Sequence, residues 1–117
     1  MIKEEFRKRT MNFGLRVIRL VESLPNGQVA KVLGNQLLRA GTSVGANYRA
    51  AVRGKSRADF ISKMGNVEEE CDEAIYWMEM LIESGTVKRK LLKALIDEGE
   101  EILSIVVASI KTARRNK

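Results

Sequence analysis

Seven residues, Phe60, Met64, Val67, Cys71, Ala74, Met78 and Leu81, recur at separations of four and three without a slip. That alternation keeps their side chains on one face of an α-helix, whereas a strand sends successive residues to opposite faces. A seam of this length must bury itself against other helices of similar length. Three more stripes supply them: Phe6, Phe13, Val17, Leu20 and Leu24; then Val29, Leu33, Leu37, Ala40, Val44, Asn47 and Ala51; then a final segment with two stripes. One of these holds Leu91, Leu95, Ile102, Ile105 and Ser109, the other Leu92, Ile96, Leu103, Val106 and Ile110.

The breaks between stripes are short and chemically explicit. Leu24-Pro25-Asn26-Gly27 ends the first helix, because proline disfavours helix in the residue before it and Asn-Gly is a turn pair. Gly54 reads as the C-terminal cap of the second. Ser56-Arg57-Ala58-Asp59 is a capping-box variant that starts the third. Gly85 ends that helix, and Thr86 reads as the cap of a fourth. The expected helices are about 5–24, 28–53, 57–84 and 87–114, with the tail Ala113 to Lys117 fraying. The 117 residues thus make one domain, an all-α, antiparallel up-down-up-down four-helix bundle.

Surplus apolar residues point beyond the single chain. The second stripe of helix 4, and Ile61, Ile75, Trp77 and Ile82 off the seam of helix 3, exceed what one bundle core needs, so a homo-oligomer is expected. The competing reading is that these faces close a tightly packed monomer.

The chain has no histidine and one cysteine, Cys71. These absences remove the usual general base, the usual metal ligand, every Ser-His or Cys-His pair and any intrachain disulfide. No glycine-rich loop follows a strand, so nucleotide binding has no support. The expectation is a protein that is not an enzyme and that uses no cofactor and no metal. No apolar run reaches the roughly 18 residues of a membrane span and the N-terminus has no apolar signal core, so a cytoplasmic location without membrane contact is expected.

Net charge is +6. Residues 26–55 carry five basic groups and no acid, whereas residues 56–85 carry two basic and eight acidic. Such alternation suits pairing between helices or chains as well as it suits a phosphate-binding surface. Arg39, Arg49, Arg53, Lys55 and Arg57 follow helix 2 and its turn, and Lys88, Arg89, Lys90 and Lys93 open helix 4. These nine are the candidate nucleic-acid contacts, against the plainer reading of a solvated surface. The two groups need not coincide, since Arg53, Lys55 and Arg57 belong to the end of the bundle opposite the start of helix 4.

The densest stretch runs from Arg39 to Phe60. Gly34, Gly41 and Gly45 fall seven and four apart on one side of helix 2, and each costs roughly 0.5 to 1 kcal/mol relative to alanine in a helix interior. Close approach of another helix explains them; a break at Gly41-Thr42-Ser43, with Ser43 capping a new start, is the alternative. Asn47 on an apolar stripe requires a hydrogen bond, either one that fixes helix register or one to a ligand. Glu70 and Glu73, within the acidic run Glu68 to Glu73, are expected to meet the arginines of helix 2, within the chain or across an interface. Cys71 reads as a small hydrophobe and Trp77 with Tyr76 as packing rather than a base-stacking platform.

Gln36 to Ala40, Thr42 to Arg49, Ser56 to Ile61, Glu70, Glu73 and Tyr76-Trp77 together resemble the four helix bundle family found in intervening sequences of bacterial 23S rRNA genes. The resemblance covers roughly Phe6 to Ile110. It implies a cylindrical homopentamer of antiparallel four-helix protomers, with Gly41, Ser43, Gly45, Asn47, Glu70, Glu73 and Trp77 as a structural motif. It also implies RNA or DNA as a partner or, by similarity to accessory proteins of diversity-generating retroelements, a protein partner such as a reverse transcriptase. A scaffold that binds a protein and no nucleic acid is the alternative function. This chain departs from the family pattern at Ala50, where members usually carry glutamate.

Overall fold

The computed structural model describes residues 3–116. It contains four helices, α1 (Lys3–Glu22), α2 (Gln28–Val52), α3 (Arg57–Glu83) and α4 (Arg89–Arg115), and no strand among the described residues. Each helix packs on its neighbour in sequence, and α4 returns to α1 to close the square. The α2–α3 seam is the most extensive and the α1–α4 seam the thinnest. The bundle measures 49 × 21 × 20 Å.

The helix ends follow local chemistry, with three departures. Ser56 is the N-cap of α3, its side chain accepting the Asp59 amide at 3.0 Å, as the sequence suggests. Gly85, at φ 77°, closes α3 in a Schellman motif: Gly85 N–H donates to the Ile82 carbonyl and Thr86 N–H to that of Leu81. Thr86 is therefore part of the exit from α3 and does not cap α4, whose N-cap is Lys88. Gly54 has no positive φ; a Cβ there would meet the Ala51 carbonyl oxygen at 2.9 Å, so crowding rather than left-handed backbone requires glycine. Ala113, Arg114 and Arg115 continue α4 instead of fraying, and Lys117 lies outside the described residues.

The seam of α3 is buried from Met64 to Leu81, with Phe60 packed at its margin. On α2 the core stripe is Ala30, Leu33, Leu37, Ala40, Val44, Tyr48 and Ala51. Val29 is instead 56% exposed and Asn47 only half-buried, so these two positions of the expected stripe are corrected by one residue each. Tyr48 takes the inner place because its ring packs edge-on against Phe6, centroids 4.8 Å apart.

The core of α4 draws on both of its stripes, through Leu92, Leu95, Gly99, Ile102, Val106 and Ile110. Ile75, read from the sequence as surplus, is buried opposite Gly99, where a Cβ would meet it at 3.1 Å and the Phe13 ring at 3.5 Å. The large apolar residues left most exposed are thus not the expected ones. They are Met11 and Leu15 on α1, Val29 and Val32 on α2, Tyr76 on α3 and Leu91 on α4.

Candidate nucleic-acid interface

The motif that dominates the sequence is mostly scaffolding. Gly34, Gly41 and Gly45 all face α1: added Cβ atoms would come within 2.8 Å of Leu24, 2.8 Å of Val17 and 3.4 Å of the Thr10 backbone. Gly14 completes the crossing from the other side, where an added Cβ would lie 3.6 Å from the Gly41 carbonyl oxygen. Helix α2 is continuous through Gly41, Thr42 and Ser43, which excludes a break there. The Thr42 and Ser43 hydroxyls donate back to the Leu38 and Arg39 carbonyls at 2.7 Å. Asn47 makes no side-chain hydrogen bond among the described residues, so no register-setting bond is found there. Half-exposed, its amide is open to water.

The acidic residues of α3 pair within the chain. Arg39 Nη1 donates to both carboxylate oxygens of Glu70 at 3.2 Å, and Nη2 donates to Glu73 Oε1. The same Glu73 oxygen accepts Trp77 Nε1–H at 3.1 Å, so Arg39 on α2 is tied to three motif residues of α3, Glu70, Glu73 and Trp77. Arg39 is therefore committed to this network and is removed from the set of free cations.

The remaining candidates divide by partner. Arg89 meets Glu83 at 3.2 Å and Lys93 meets Asp97 at 2.8 Å, both at exposed positions. Arg49, Arg53, Lys55, Arg57, Lys88 and Lys90 are exposed and have no carboxylate partner among the described residues. Arg49 and Arg53 stand with Arg7 along a groove of about 560 Å³ between α1 and α2, floored by Met11, Leu15, Ile18 and Val52. Across the bundle, a groove of about 440 Å³ between α3 and α4 is lined by Glu68, Glu69, Asp72, Leu103 and Val107. One groove is basic and the other acidic, and each has an apolar floor.

Three shifted groups have clear causes. Asp59 lies below its ordinary pKa because the Lys55 amide donates to it, with the Lys63 ammonium second. Arg9 is raised by its bond to Glu98. Burial pushes the Cys71 thiol up to about 12; its S–H donates to the Gly99 carbonyl at 3.3 Å. A protonated, buried thiol is a poor nucleophile. Among the described residues no group of three or more Cys, Asp or Glu is placed to hold a metal ion, and no helix is long and apolar enough to cross a membrane.

The family model of the 23S rRNA-intervening sequence proteins matches residues 3–108. The chain belongs to that family. The chain is also similar to a crystal structure from Bacteroides thetaiotaomicron, a protein of unknown function from the S23 ribosomal protein family. The TM-score is 0.88 and the identity 34%, over 95% of this chain and 99% of that one. No curated protein matches the chain. As a member of the 23S rRNA-intervening sequence family, this chain carries an exposed alanine at position 50, so no carboxylate stands beside Asn47 there.

Sequence reasoning passed over the α1–α4 closure, where Arg9 binds Glu98 through two hydrogen bonds of 2.7 Å. It also passed over the Phe6–Tyr48 pair and the Gly99 contact. Residues so distant along the chain leave no periodic signal.

Proposed function

We propose that this member of the 23S rRNA-intervening sequence family is a basic, non-enzymatic protein that binds RNA through its phosphates. The observation that carries the reading is the set of exposed cations without carboxylate partners, Arg49, Arg53, Lys55, Arg57, Lys88 and Lys90, on a chain of net charge +6. Pairing within the chain accounts for Arg39, Arg89 and Lys93 but leaves these six. The family's association with rRNA intervening sequences gives RNA priority over DNA.

Titration of a short structured RNA at two salt concentrations tests the reading. Affinity is expected to fall by about 0.7 to 0.9 log units per log unit of salt for each phosphate neutralised. Absence of binding at low salt would overturn it and favour a scaffold for a protein partner, such as a reverse transcriptase, held by salt-insensitive apolar contacts.

A homo-oligomer, with a ring-shaped pentamer as its specific form, is part of the same proposal. Its support is the exposed apolar Met11 and Leu15 on one side of the bundle and the groove lined in part by Leu103 and Val107 on the other. Two different patches that fit each other generate a closed ring when the rotation between copies closes. Light scattering during size exclusion that gives the mass of one or two chains refutes the ring.

A further inference from the structure

The free cations are not spread evenly along the bundle. Antiparallel packing brings the start of α1, the end of α2, the start of α3 and the end of α4 to one pole. Arg53, Lys55 and Arg57 frame the α2–α3 turn there, and Arg114 and Arg115 end α4; all five are exposed and unpaired among the described residues. A shallow hollow of about 540 Å³ lined by Arg57, Ala58, Ile61, Ala113 and Arg114 makes the turn and the end of α4 one surface.

Two of the acids near this pole are engaged elsewhere, and Glu5 on α1 is the exposed one without a cation partner among the described residues. Asp59 holds the Lys55 amide and the Lys63 ammonium, and Glu4 holds Arg7. At the opposite pole Arg89 and Lys93 have carboxylate partners, and Glu83 stands beside the start of α4. Fold stability explains only part of this charge. Arg114 and Arg115 complement the negative end of the α4 dipole, but Arg57 lies in the first turn of α3, where a cation is unfavourable.

We propose that this pole is where the protein grips RNA, with Arg53, Lys55, Arg57, Arg114 and Arg115 contacting the sugar-phosphate backbone. The proposal rests on the RNA-binding reading above and locates it. Guanidinium groups suit phosphate oxygens because their paired N–H donors match two oxygens at once. Phe6 and Tyr48 near this end are buried, and Phe60 is half-buried, which leaves no exposed aromatic ring to stack on a base. Contacts here therefore read backbone and shape, not sequence.

The test compares two variants of the full chain on a short hairpin RNA, R53Q/K55Q/R57Q/R114Q/R115Q and, at the opposite pole, R19Q/K31Q, two exposed cations outside the candidate set. The first is expected to lose about tenfold or more in affinity at low salt, with a salt slope shallower by about 0.7 to 0.9 for each contact removed. The second is expected to retain wild-type affinity and slope. A loss that merely follows the number of charges removed, or a larger loss in the second variant, overturns the polar site while leaving RNA binding intact. A wild-type chain that fails to bind at low salt overturns both. Lysine acetylation of the unaltered protein is an independent readout: RNA should protect Lys55 and leave Lys31, at the opposite pole, reactive, and the reverse pattern refutes the assignment.

Discussion

Arg9 on α1 and Glu98 on α4 hold each other through two parallel hydrogen bonds of 2.7 Å, with each side chain about four-fifths buried. They stand at the thinnest seam of the bundle, where the chain's first and last helices meet. A bidentate guanidinium–carboxylate pair fixes both distance and orientation, so it sets how α4 returns to α1. Glu101 adds a looser contact at 3.5 Å.

Arg9→Ala should therefore destabilise the fold by about 1 to 3 kcal/mol, the cost of leaving a largely buried carboxylate unpaired. In a double-mutant cycle with Glu98→Ala the coupling should be about 1 kcal/mol, reduced from the buried-pair range because water still reaches both groups. Urea denaturation of the four proteins measures it. A coupling indistinguishable from zero would show the pair to be incidental.

Two glycines in helix interiors should respond in opposite directions. Gly65 on α3 has nothing within 4 Å of an added Cβ, so Gly65→Ala should stabilise by about 0.5 to 1 kcal/mol through propensity alone. At Gly41 an added Cβ falls 2.8 Å from both Val17 methyl carbons, and a β-branched side chain has little rotamer freedom to move away. Gly41→Ala should cost about 1 to 3 kcal/mol, as overpacking does, and Val17→Ala in the same chain should relieve much of the clash. Thermal or urea melts of the single and double variants decide this.

Loss of the α3 cap should be felt globally. Ser56→Ala removes the acceptor for the Asp59 amide and should lower stability by about 0.5 to 2 kcal/mol. Asp59 is held below its ordinary value of 3.8, so its contribution is present above that pH and is lost as pH falls through the depressed native value. Asp59→Asn should accordingly flatten the acid limb of a stability-versus-pH curve and leave the neutral region parallel to wild type.

Cys71 makes an alkaline prediction of opposite sign. Its thiol is raised from 9.0 to about 12 by burial, so the stability it contributes is complete below pH 9 and is lost as pH rises from there toward 12. Comparison of Cys71→Ala with the parent between pH 8 and 11 should show the parent losing more stability across the range. At pH 8 the native thiol should resist a thiol-directed reagent that labels the unfolded chain promptly. Rapid labelling of the native protein would contradict the burial.

Much of the fold could be read without coordinates, and the errors are informative. The α3 seam was legible because Met64, Val67, Cys71, Ala74, Met78 and Leu81 keep a 3.5-residue rhythm that only a packed helix explains. The stripes of α4 were not resolvable, since apolar residues occupy more than one face and periodicity cannot choose among adjacent faces. Gly99 chose, by leaving room for Ile75. Val29 and Asn47 were placed inward for the same reason, and the Phe6 ring brought Tyr48 inward instead. At the candidate site the cations were visible in the sequence, but their partners were not. Arg39 looked as available as Arg53 until Glu70 and Glu73 came opposite it.

The sequence by itself determined four helices, their short turns, the Ser56 cap and the absence of histidine. These are local properties, set within a turn or two of chain by propensity, capping and periodicity. The tertiary structure decided which glycine faces which helix, which arginine is neutralised and which remains free. It also gathered Arg53, Lys55 and Arg57 with Arg114 and Arg115 at one pole. Residues more than 50 positions apart share a surface only because the chain reverses direction three times, and no local rule encodes that meeting.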